Sequence, residues 1–242
     1  PVGYRLREGL TATRLAECSS NGDSRVRTLR KVLMVLLHAL PFDGRMWSEA
    51  DRAVGEKVIA SDLFGLGDSI VEWASAVVAM AGTEELMVVG CSVGGSCALE
   101  IARLAPEQVS GIVLVGAKAG VRPDPTLRDE SVRVVETHGL AAAWSAYWEP
   151  LFGSAALPEV VAAARDLALS HDVTRVANGL RAFHDRRDHT EFVAGWTKPL
   201  VVVSGAQDRT PPVSVARSLG EGPQRQFHLV DDCGHYVNLE RP

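Results

Sequence analysis

The sequence predicts an α/β domain: a parallel sheet covered on both faces by helices and interrupted by one long helical insertion. Three observations carry that prediction. The apolar runs of strand length are continuous rather than alternating, as strands buried on both faces must be. Helical patterns fill the gaps between most of them, at the spacing of strand–helix–strand units. From about Lys118 to Trp196 only helical patterns occur, rich in Ala, Val, Arg and aromatic residues.

Along the chain, Gly3 to Cys18 reads as a hairpin, with Glu8-Gly9 as its turn and Leu10 to Leu15 alternating behind it. Ser19 to Ser24 is a loop by composition. Lys31 to His38 is the first continuous apolar run, and Lys57 to Asp62 is a shorter strand. Leu86 to Val89, Gly111 to Val115 and Pro199 to Ser204 repeat the type, and Gln226 to Val230 closes the series. Between them, Ser69 to Met80, Ser96 to Leu104 and Val213 to Leu219 have helical periodicity. In the insertion the helical patterns are Asp129 to Trp148, Pro158 to Leu169 and Arg175 to Phe183. This insertion is expected over the carboxyl ends of the strands, where open α/β sheets bind ligands.

Composition narrows the partners. Of the 242 residues 46% are hydrophobic and 23% charged, as in ordinary globular proteins. The net charge of −5 is spread out, with no long basic tract, so neither nucleic acid nor an anionic membrane is expected as a partner. No apolar run approaches the roughly 20 residues needed to span a bilayer. The N-terminal stretch carries no signal-peptide pattern. Cys18, Cys91, Cys97 and Cys233 have no C-x-x-C spacing, which argues against a zinc or redox site and for reduced thiols in a cytoplasmic protein. No metal and no cofactor are expected.

One stretch carries chemistry. Leu86 to Glu100 reads as a strand, a sharp turn and a helix, with Ser92 at the tip of a G-x-S-x-G between Gly90 and Gly94. Such a serine is held in a strained conformation with its hydroxyl outward and the next N–H groups aimed at the same spot. Alone the pattern is weak, with a chance occurrence on the order of one in ten for a chain of this length.

Four further stretches give it a context. With the elbow at Gly90 to Gly94, the chain resembles the α/β-hydrolase superfamily over essentially its whole length. Leu37-His38-Ala39-Leu40-Pro41 resembles that family's His-Gly-x-Pro oxyanion turn, and Ser61 to Ser69 its D-x-x-G-x-G-x-S loop. Ser204 to Asp208 and Asp232 to His235 resemble its acid and histidine loops. The resemblance implies a mostly parallel, eight-stranded sheet flanked by helices. It also implies a helical cap at 118–196 between two parts of the core, 1–117 and 197–242. Ala39 departs from the family's glycine, and the chain ends at Arg241-Pro242 where relatives usually continue into a last helix.

The order Ser92, Asp208, His235 is that of this fold's catalytic triad. In those roles Ser92 is the nucleophile, His235 the base that later returns the proton, and Asp208 the group that fixes the imidazole tautomer. The backbone N–H groups of Leu40 and Val93 form the implied oxyanion hole, each donor worth about 3–4 kcal/mol in the barrier. Plain alternatives stand beside each role. Ser92 can be a turn residue, Asp208 a cap for the helix after Pro212, and His235 a solvated loop histidine.

The other histidines carry less. His38 is expected to bond backbone around the oxyanion turn, and His138, His171 and His228 to have no chemical role. The run His184 to His189 reads either as a carboxylate-recognising patch or, as composition favours, a solvated helix end. Trp144, Tyr147 and Trp148 share a helix face by their spacing. With Met46, Trp47, Phe183 and Tyr236 they form the expected apolar substrate pocket, unless they only dock the insertion onto the core.

The expected function is a cofactor-free serine hydrolase that cleaves a small to medium ester, lactone or thioester through an acyl-enzyme, as a monomer or homodimer. The same motifs serve carbon–carbon bond hydrolases, enol-lactonases and lyases or cyclases, and a non-catalytic binder on this fold is the remaining class.

Overall fold

The run expected over 31–38 is a strand, β1 (Val32–Leu37), buried at Leu33 and from Val35 to Leu37 with its first residue exposed. The computed structural model describes residues 32–242 apart from positions 54 and 56; the hairpin and loop expected within 3–24 lie outside the described residues, as does Cys18. A short helix, α1 (Glu49–Ala53), leads to β2 (Lys57–Ile59). Then comes α2 (Ile70–Ala81), opened by a capping box in which Ser69 Oγ accepts the Glu72 N–H at 3.2 Å. Glu72 in turn accepts the Ser69 hydroxyl at 3.1 Å and the Asp68 N–H at 2.7 Å.

Next are β3 (Glu85–Cys91), α3 (Val93–Leu104) and β4 (Val109–Val115). Four helices follow without a strand: α4 (Pro125–Ala143), α5 (Pro158–Leu169), α6 (Val173–His184) and α7 (Thr190–Ala194). α4 runs into a π-helical turn at Trp144–Trp148. The chain then re-enters the sheet as β5 (Leu200–Gly205), passes through α8 (Val213–Leu219) to β6 (Arg225–Val230), and ends in the short α9 (Val237–Glu240).

Among the described residues the sheet has six strands, all parallel, in the order β2-β1-β3-β4-β5-β6. Eight were implied by the resemblance; the segment 3–24, where a hairpin was expected, lies outside the described residues. α2 and α3 pack together, as do α4 and α6. The strand order reverses between β1 and β3, and their carboxyl ends sit side by side, with Leu37 paired to Gly90. Such a switch point opens a crevice at the ends of the strands. No helix among the described residues is long and apolar enough to cross a membrane.

Candidate active site

Ser92 stands at that crevice, one residue past β3, with φ 53° and ψ −115°. Neighbouring glycines permit this turn. A Cβ on Gly90 would overlap the backbone of Gly94, and one on Gly94 would overlap the Leu37 and His38 carbonyls. Strand, turn and helix therefore cross closer than side chains allow. Ser92 makes no side-chain cap to α3. Its backbone N–H donates to the Val115 carbonyl at 2.9 Å, which fixes the elbow to the end of β4.

His235 and Asp208 come from separate loops and meet. Nδ1 of His235 lies 2.9 Å from Oδ2 of Asp208, and both side chains are buried. The other oxygen, Oδ1, accepts the Thr210 N–H at 2.8 Å, so Asp208 braces its own loop and orients the histidine together. Asp208 does not cap the helix that follows: α8 begins after Pro212 with no side-chain cap, and Thr210 precedes it. Gly116 lies between His235 and the elbow: with φ +55°, it follows Val115, and a Cβ there would come 2.8 Å from the His235 carbonyl oxygen and 3.0 Å from Nδ1. Ser92 bonds Val115, the residue before Gly116, so the elbow and the His235 ring both abut the end of β4. The histidine loop is held by Glu240, a buried carboxylate that accepts the N–H groups of Gly234 and Gly153 at 2.9–3.1 Å.

The turn after β1 is built on His38. Its fully buried ring lies 3.1 Å from the Ala39 carbonyl through Nδ1, and Nε2 accepts the Leu63 N–H at 2.8 Å. An Nε2 acceptor requires the neutral ring, and burial pushes His38 down to about 4 from 6.5. Between those two pH values the unfolded chain binds a proton that the folded one refuses, so stability falls as pH is lowered from 6.5 to 4. The loss at pH 4 is expected on the order of 3 kcal/mol, read as melting temperature against pH. His38→Gln should flatten that limb; a slope as steep as the parent's would reject the assignment. Leu40 follows in the same turn, and its carbonyl accepts the Tyr236 hydroxyl at 3.2 Å, tying this turn to the histidine loop. Val93 is the first residue of α3, where N–H groups have no partner in the helix and the helix dipole favours negative charge.

The cavity beside Ser92, small at about 20 Å³, is lined by Ser92, Ser96, Gly116, Ala117, Lys118, Phe183, Arg186, Thr210 and Pro211. The expected apolar pocket needs correction. Of the seven residues proposed for it, Phe183 alone lines this cavity. Trp144 packs against Phe42 and Phe152, Tyr236 against Phe42, and Trp47 and Trp148 are core residues. Tyr147 packs at the edge of that core. The Met46 sulfur accepts the Ala39 N–H at 3.1 Å, and Met46 also borders a separate groove beside α5. These aromatics dock helices onto the sheet, which a shared helix face cannot distinguish from lining a pocket.

Lys118 carries no signal in the sequence for this place, and Arg186 lies in the His184–His189 run, which reads either as a carboxylate-recognising patch or as the favoured solvated helix end. Both are half-buried at the cavity. Arg186 spreads over the Phe183 ring at 3.9 Å and donates to the Phe183 carbonyl. Burial pushes it down to about 10. Burial, then the charges of Arg186 and Arg122, hold Lys118 below its ordinary value. Among the described residues neither of these cations forms an ion pair, though the Asp188 charge acts on Arg186. Among the described residues no group of three or more His, Cys, Asp or Glu side chains could hold a metal ion, and Cys91, Cys97 and Cys233 are free and buried.

A family model described as alpha/beta hydrolase fold matches residues 32–242. The chain is 28% identical over 235 residues to the dihydrolipoyllysine-residue acetyltransferase component of an acetoin cleaving system from Pseudomonas putida. That match takes in 86% of this chain but 59% of the relative, so the chain spans about three-fifths of that protein's length. It is also 28% identical over 249 residues to a 2-hydroxy-6-oxononadienedioate/2-hydroxy-6-oxononatrienedioate hydrolase from Paraburkholderia phymatum, covering 87% of this chain and 83% of the relative. Among solved structures, a thermophilic esterase from Thermogutta terrifontis with malate bound superposes with a TM-score of 0.79 at 25% identity, covering 87% of this chain and 85% of the other.

Proposed function

We infer, since the chain belongs to the alpha/beta hydrolase fold family, that it is a cofactor-free serine hydrolase acting through an acyl-enzyme. The observation that carries this reading is the buried 2.9 Å contact of His235 with Asp208, beside Gly116, whose preceding residue Val115 receives the N–H of a serine in a left-handed elbow. With Nδ1–H donated to Asp208, the free electron pair of the imidazole is on Nε2, which takes the Ser92 proton as Oγ attacks the acyl carbon. The N–H groups of Val93 and Leu40 receive the negative charge on the acyl oxygen. His235 then protonates the leaving group, and water repeats the sequence to release the acid. A fluorophosphonate is expected to label Ser92 one to one; a protein that stays unlabelled, or is labelled elsewhere, would overturn the reading.

The substrate class follows from the cations. An acyl chain that carries a carboxylate would pair with Lys118 and Arg186, which form no ion pair among the described residues, through the ammonium and the guanidinium fork. The related hydrolase is named for dioate substrates and the esterase structure holds malate, which agrees with an anionic ligand. The ratio of kcat/KM for mono-p-nitrophenyl succinate to that for p-nitrophenyl butyrate measures this preference. In Arg186→Met it is expected to drop roughly 10- to 100-fold. An unchanged ratio would return the pocket to neutral substrates. Carbon–carbon bond hydrolysis with the same residues is the second reading, favoured by the dioate hydrolase relative; product analysis on such a substrate separates the two.

A further inference from the structure

A second buried ionic cluster lies along α3, two turns below Ser92. Glu100 and His189 are almost completely buried, and Nε2 of His189 lies 2.7 Å from Oε2 of Glu100. The other oxygen, Oε1, accepts Nε and Nη2 of Arg103 at 3.0 and 2.6 Å, and Arg187 Nε stands 3.7 Å from Oε2. Burial opposes the charge on Glu100, but the hydrogen bonds from Arg103 and His189 outweigh it and leave its pKa below the ordinary carboxylate value. A charge held this way fixes its partners, because each one lost would leave a buried carboxylate short of donors.

The partners belong to different parts of the fold. Glu100 is on the helix that starts at Ser92, whereas His189 ends the segment that carries Arg186 between α6 and α7. Further bonds fasten that segment to the chain leaving β4: the His189 N–H donates to the Ala119 carbonyl at 3.0 Å, and Asp188 accepts the Val121 N–H at 2.9 Å. The segment is therefore tied to the stretch that carries Lys118, and to the nucleophile's own helix through Glu100 by the close contact of His189 and the longer one of Arg187.

We propose that the Glu100–His189 contact is a positioning device that sets Arg186 at a fixed distance from Ser92 and so determines selection for a carboxylate on the substrate. The inference rests on the reading of Arg186 as the carboxylate-binding cation. His189 and Glu100 touch no substrate; they act through the Arg186 segment. If this holds, losing the link loosens the placement of the cation and weakens binding of anionic substrate more than it slows chemistry on a neutral one.

The test is the succinate-to-butyrate ratio defined above, which does not depend on the fraction of folded enzyme. It is measured in four variants: His189→Met, which keeps the volume but not the donor; His189→Gln, which keeps a donor at the Nε2 position; Arg186→Met; and the double variant Arg186→Met/His189→Met. The ratio is expected to fall about tenfold in His189→Met through a raised KM for the succinate, and to stay within about twofold of the parent in His189→Gln. The double variant should fall no further than Arg186→Met alone, because both changes remove one interaction. A ratio unchanged in His189→Met, a drop as large in His189→Gln, or additive losses would overturn the positioning role while leaving the carboxylate reading in place. A ratio unchanged in Arg186→Met would overturn the carboxylate reading and the positioning role with it.

Discussion

Ser92→Ala is expected to lower kcat/KM on p-nitrophenyl butyrate by roughly 10⁴- to 10⁶-fold, with a melting temperature within a few degrees of the parent. The expectation is large because the hydroxyl is the proposed bond-forming atom and nothing else at the cavity replaces it. Ser96 and Thr210 also line the cavity, but Ser96 lies inside α3 and Thr210 beyond the acid, so neither shares the elbow's geometry. The structural cost is small: Ser92 spends no side-chain bond on capping α3, and alanine keeps the N–H that Val115 receives. What activity survives would come from the oxyanion donors and substrate binding alone. Turnover at the parent's level would end the acyl-enzyme reading.

Asp208→Asn is expected to cost about 10⁴-fold in kcat. The asparagine carbonyl can keep the Thr210 N–H that Oδ1 accepts at 2.8 Å, so its loop has no reason to move. Its amide nitrogen then faces His235 and donates where the carboxylate accepted. The imidazole must turn its proton to Nε2, the position that has to take a proton from Ser92. This is a change of tautomer with the geometry intact, and steady-state kinetics with a melting curve separate it from unfolding. A loss below tenfold would point to another acid. Asp231 and Asp232, the nearest in sequence to the histidine, are exposed and thus poor substitutes for a buried carboxylate.

The sequence alone determined the parallel sheet, the elbow and the order serine, acid, histidine. Those features are local or periodic. A strand covered on both faces needs an unbroken apolar run, and the runs expected near 31–38, 57–62, 86–89, 111–115, 199–204 and 226–230 all became strands, with ends shifted by a few residues at most. A turn as sharp as the one at Ser92 needs glycines where backbones touch, so Gly90 and Gly94 write it into the chain. The part played by His38 was also legible, because it bonds backbone in its own turn and in the neighbouring loop.

What only the tertiary structure decided is which side chains face the cavity. Trp144, Trp148 and Tyr236 had the composition of a pocket, but they fill the seam where the inserted helices meet the sheet. Lys118 and Arg186 are far apart in sequence and converge because β4 and the α6–α7 segment end at the same crevice. Glu100 and His189 meet for a similar reason, across the packing of α3 against that segment. Hydrophobic spacing tells which face of a helix is buried; it cannot tell against what, since that depends on how whole elements pack. A cation beside Ser92 and a solvated arginine at a helix end therefore look the same in the chain until the fold brings them to a common wall.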